Sequence, residues 1–88
     1  MKAYIVEPVK PGISWELFSE SNSQKVFEIA RLITEKYPEV TIAGYHKYPG
    51  TEIINTLVIH VPDTLTREAI EEEFSCGLLP VAYEPKSS

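Results

Sequence analysis

The chain has 88 residues and a mass of 9.9 kDa, which leaves room for one small domain and no second core. Hydrophobic residues at 43% and charged residues at 24% exclude a disordered, collagenous or membrane-spanning chain. A formal charge of -5 gives no positive field for phosphate backbones or anionic membranes, so direct nucleic-acid or membrane binding is disfavoured and neutral or basic partners fit better.

A core of this size buries only about 60–65% of the unfolded surface, so a homodimer would add useful apolar burial. The single cysteine, Cys76, excludes an intrachain disulfide framework and any two-thiol zinc or redox motif. The opening MKAYIVEPV is too short and too polar for the apolar region of a signal peptide, and with the lone thiol it leads to an expected cytoplasmic or otherwise intracellular setting.

Along the chain, Lys2 to Val9 reads as a first strand, with Pro8 and Pro11 restricting its continuation. Residues 10–21 carry Pro11, Gly12 and serines and read as a long connection with one helical turn around Trp15 to Phe18. Val26, Ile29, Ala30, Ile33 and Tyr37 then recur at helical spacing, while Ser21 with Gln24 forms a capping box and Pro38 ends the run. The expected helix spans about residues 22–37.

Two strand-like runs, VTIAGYHKY and TEIINTLVIHV, flank Pro49-Gly50, a pair suited to a type II turn and hence to a hairpin. A loop of two or four residues pairs Lys47 with Glu52, Tyr45 with Ile54 and Ile42 with Leu57, whereas a three-residue or bulged loop shifts that parity. Past Pro62, Leu65 and Ile70 staple a helix over about residues 67–75 that Thr66 caps and Gly77 closes in a left-handed conformation. Leu79, Val81 and Tyr83 alternate as a final strand, giving one domain over residues 1–84 and a fraying tail over 85–88.

The order is β-α-β-β-α-β, the split βαβ or ferredoxin-like arrangement: an α+β sandwich with two helices on one face of a four-stranded antiparallel sheet. The fold hosts enzymes, regulatory domains, RNA binders and inhibitors, so function has to come from the residues. An RNA-recognition domain shares the element order, but NTLVIHV lacks its paired aromatics.

No catalytic constellation, cofactor loop or metal set emerges. The serines lack a nucleophile elbow, and Gly12, Gly44, Gly50 and Gly77 are scattered rather than gathered in a phosphate loop. His46 and His60 are expected on opposite faces of neighbouring strands, too far apart in direction to share a metal. Cys76 follows an acidic helix, where the carbonyl end of the helix and nearby glutamates oppose a thiolate, so it reads as a packing residue.

What remains is surface. Residues 1–60 hold six basic and seven acidic side chains and residues 61–88 hold two and six, so most of the net negative charge lies late in the chain, around Glu71, Glu72 and Glu73. On the sheet face away from the helices the expected residues are Tyr4, Val6, Tyr45, Ile54, Val58 and His60, with Trp15 as a further anchor.

These features favour a non-enzymatic interaction module, an inhibitor or regulatory adaptor that masks or recruits a protein partner, with the acidic helix steering a basic one. One alternative is a small-molecule-binding protein or enzyme of the dimeric ferredoxin-like type, with Tyr4, Tyr45, His60 and Trp15 around a pocket. Another is an acidic mimic of nucleic-acid phosphates that binds a basic protein.

Overall fold

The computed structural model describes residues 1–15 and 19–81, and the expected helical turn at Trp15 to Phe18 and the position of Tyr83 lie largely outside them. Six elements follow in order: β1 (Lys2–Glu7), α1 (Glu20–Lys36), β2 (Thr41–Lys47), β3 (Ile54–Val61), α2 (Arg67–Phe74) and β4 (Gly77–Pro80). The strands form one antiparallel sheet in the order β2-β3-β1-β4, and both helices cover the same face. This is the ferredoxin-like fold that the sequence pattern implies.

Helix α1 forms because its apolar residues repeat every three or four positions, and Val26, Ile29, Ala30 and Ile33 all turn into the core. It begins earlier than expected: Ser19, not Ser21, caps it, the Ser19 hydroxyl accepting the Asn22 N–H at 3.3 Å. Pro38 stops it after the Tyr37 N–H reaches the Ile33 carbonyl at 2.8 Å. Helix α2 starts as expected, with the Thr66 hydroxyl accepting the Ala69 N–H at 3.3 Å, and buries Ile70.

The left-handed residue closing α2 is Ser75, with φ of 52°, rather than Gly77. Gly77 serves another need. A Cβ there would stand 2.9 Å from the Val9 carbonyl oxygen, so glycine lets the start of β4 run against the end of β1.

The sheet registers decide which residues are core. Leu57, Ile59 and Val61 of β3 face the helices and are almost wholly buried. Tyr4 pairs with Ile59, and paired residues share a face, so Tyr4 and Val6 also point into the helix layer, at 8% and 3% exposure. The expectation that they line the open face is therefore corrected. The run Ala3-Tyr4-Ile5-Val6 is apolar at every position, and such a run carries no alternation from which to assign a face.

The hairpin differs from its expected register for a related reason. Its turn forms as read, with the Thr51 N–H donating to the Tyr48 carbonyl at 3.1 Å and Gly50 at φ of 75°. Type II geometry does not match strand twist, and the ladder resumes only where the Tyr48 N–H meets the Ile53 carbonyl at 2.9 Å, leaving Glu52 unpaired in the ladder. Irregularities between Ile42 and Gly44 and between His46 and Lys47 complete the shift.

Consequently Tyr45 lies opposite Leu57 and Lys47 opposite Ile54, while Lys47 still forms an ion pair with Glu52. Tyr45 and Ile54 thus belong to the helix side, Ile54 at 8% exposure in the core and Tyr45 at its rim against Phe27, ring centroids 5.2 Å apart. The irregularity at Ala43 brings His46 onto the face of His60, contrary to expectation, with partners Thr56 and Thr41 respectively. Those partners' positions on β3 and β2 still separate the two imidazoles by about 13 Å along the strands.

Ser23 ties α1 to the sheet. It is the buried polar residue of the core, and its hydroxyl accepts the Ile54 N–H at 2.7 Å. Ser23→Ala leaves that buried N–H without its acceptor and should cost about 1–3 kcal/mol, read as a lower urea midpoint at unchanged slope. Among the described residues no helix is long and apolar enough to cross a membrane.

Candidate protein-interaction face

The face of the sheet that the helices leave uncovered is built from alternate residues of four strands. Its central row runs Gly44, Val58, Ile5, Leu79, each paired with the next across the sheet. Beside it Thr41 pairs with His60 and His60 with Ala3, whose carbonyl accepts the Val81 N–H at 3.1 Å. On the other side lie His46, Thr56 and Glu7.

Of the residues expected on this face, Val58 and His60 stand there, and Tyr4, Val6, Tyr45 and Ile54 do not. Sequence reasoning missed Ile5 and Leu79. Leu79 is 50% exposed, the most prominent apolar side chain of the row. The signal that finds it is the β1–β4 register, which sets Leu78 inward against Val6 and Leu79 outward against Ile5.

Trp15 is half-buried at the Glu7 end of the face, its indole N–H donating to Glu7 Oε2 at 3.2 Å. That bond occupies part of the one carboxylate on this face among the described residues. Trp15 also borders a cavity of about 190 Å³ that reaches from Ile5 and Leu79 down to Val26 and Ile54. A wider groove of about 840 Å³ lies at the opposite end, between Lys2, Tyr4, Asp63 and Arg67. Tyr4, Tyr45, His60 and Trp15 therefore do not converge on one pocket, because the sheet itself separates Tyr4 and Tyr45 from His60.

The three glutamates of α2 point in different directions, as consecutive helical residues must. Glu71 Oε2 accepts the Leu78 N–H at 2.8 Å and so holds β4 in place. Glu72 meets Lys10 at 3.3 Å in an exposed pair. Glu73 bridges to α1, pairing with Lys36 and accepting the Tyr37 hydroxyl at 2.8 Å. Above that bridge the Tyr37 and Phe74 rings meet edge to face at 6.4 Å.

Cys76 sits wholly buried at the end of α2, where burial first and the Glu71 charge second push its thiol up to about 11. It is a packing residue. No group of three or more His, Cys, Asp or Glu side chains among the described residues could hold a metal ion.

In comparisons with known proteins, no family model, no curated protein and no solved structure matches the chain.

The Lys36–Glu73–Tyr37 cluster makes a pH prediction. Hydrogen bonds from Lys36 and then Tyr37 hold the Glu73 carboxyl below its usual 4.5, so its stabilising effect is present above that value and is lost as pH falls through the lowered one. Glu73→Gln should therefore reduce stability at neutral pH, with the difference from the native chain shrinking on acidification in parallel urea titrations. A gap that stays constant down to pH about 2 would show that Glu73 charge contributes nothing.

Proposed function

We propose that this chain is a small protein-interaction module, an inhibitor or regulatory adaptor that masks or recruits a protein partner through the uncovered face of its sheet. The observation that carries this reading is the continuous row Val58, Ile5 and Leu79. It places adjacent apolar side chains from three strands on a surface whose one described carboxylate already accepts a bond from Trp15. Contiguous apolar side chains left open across neighbouring strands are candidate contact surfaces.

The acidic helix has a smaller part than its composition implies. Glu71 and Glu73 are engaged within the fold, and Glu72, whose side chain is 80% exposed, is the member of the run most open to a basic partner. Its contribution is to the rate of encounter, while the energy comes from the buried apolar row. A pocket enzyme is less well supported, since the aromatic and imidazole groups that would have shaped its pocket lie on opposite sides of the sheet.

A photo-crosslinking residue placed at position 79 and, as control, at position 28 on the outer surface of α1 tests the reading. In cell extract the position-79 probe should yield a discrete adduct that excess unlabelled protein competes away, with no such adduct from position 28. Equal, non-competed labelling from both positions overturns it.

A further inference from the structure

Gly44 adjoins the irregularity of β2 at Ala43, a place where glycine is common, but neither its backbone nor its surroundings in a single copy require it. Its φ lies outside the left-handed region that requires glycine, and a Cβ added there would meet nothing within 4 Å. Glycine in a strand otherwise weakens it, and one use that makes up for the loss is the close approach of another group. At the other end of the same row stands the half-exposed Leu79. The row has an empty position at one end and a protruding side chain at the other.

From this pairing, and resting on the interaction reading above, we propose that the partner on the open face is a second copy of the chain, packed sheet to sheet about a two-fold axis that runs parallel to the strands between β1 and β3. Such an axis lays β4 of one copy over β2 of the other and β1 over β3. Leu79 then seats over the partner subunit's Gly44, and Ile5 meets the partner subunit's Val58. In the neighbouring row His60 lies over the partner subunit's Ala3, again a large residue over a small one.

Charge favours the same arrangement. Two copies that each carry -5 repel one another through their helix layers, where α1 and α2 present most of the described carboxylates. On the sheet face the operation sets Glu7 over the partner subunit's Thr56, about one strand spacing to the side of the partner subunit's own Glu7. The face has no cluster of one sign to select a charged partner, and its shape complements itself.

The size fits a reversible dimer. Four strands about 4.8 Å apart and about six residues long give a footprint of roughly 400 Å² per copy. Side-chain relief brings the surface buried by both to the order of 1,000 Å², the lower end of specific interfaces. Association should therefore depend on concentration.

Sedimentation equilibrium of the full chain from micromolar to millimolar concentrations should show monomer passing into dimer. Gly44→Leu places a side chain where the single copy has room and the dimer has none. It should keep the native circular dichroism and, at concentrations where both chains are monomeric, the native thermal midpoint, while raising the dissociation constant about ten- to a hundredfold. Combining it with Leu79→Ala should restore much of the loss, because the leucine is then supplied from the other side of the contact.

A native chain that stays monomeric up to about 1 mM overturns the second copy as partner. An unchanged dissociation constant in a folded Gly44→Leu variant overturns the proposed packing. If the chain is monomeric but the position-79 probe captures a different protein, the interaction module stands without self-association, whereas a monomer with no competed adduct overturns both.

Discussion

The pairing of β1 with β3 governs the rest of the molecule. Both central strands carry apolar side chains on each face, but two helices can cover only one face. Placing Tyr4 against Ile59 and Ile5 against Val58 sends Tyr4, Val6, Leu57 and Ile59 into the core and leaves Ile5 and Val58 outside. A slip by one residue would exchange these sets, so the register fixes both the core and the character of the uncovered surface. Ser23 reinforces the choice from the helix side through its bond to Ile54.

The elements were legible in the sequence and the faces were not. Helical period, a threonine cap and the Pro49-Gly50 turn are local signals, and they yielded α1, α2, the hairpin and the topology. Face assignment depends on cross-strand register, which the turn transmits only if no residue intervenes. Here the ladder carries an extra residue at Ala43 on β2 and another at Asn55 on β3; the first turns Tyr45 and His46, and the second Ile54, to the side opposite to that inferred. Val58 and His60 were placed well because β3 alternates clearly. Ile5 was hidden inside a continuous apolar run.

Electrostatics follow from the same layering. The helices carry the exposed acidic surface, yet their carboxylates also organise the fold: Glu71 fastens β4, and Glu73 joins α2 to α1 through Lys36 and Tyr37. A run of three glutamates that looks from composition like a steering patch is thus largely a set of internal ties. Exposed ion pairs such as Lys10 with Glu72 contribute little by themselves. In the proposed reading the net charge limits which surfaces approach one another, while the exposed pairs do little to hold the domain together.

That restriction bears on how so small a domain meets its need for apolar burial. With one helix layer, the outward side chains of the two central strands are shielded, among the described residues, by their neighbours in the sheet and at one end by Trp15, and the short β4 adds a half-exposed leucine to them. Exchanging Leu79 for a polar residue would cost the single copy little, since it contacts no second layer, whereas the inward Leu78 beside it is indispensable to packing. Within one copy, then, nothing in the core calls for leucine at position 79 or for glycine at position 44. Under the proposed packing both residues acquire a role, Leu79 as the projecting side chain and Gly44 as the space that receives it.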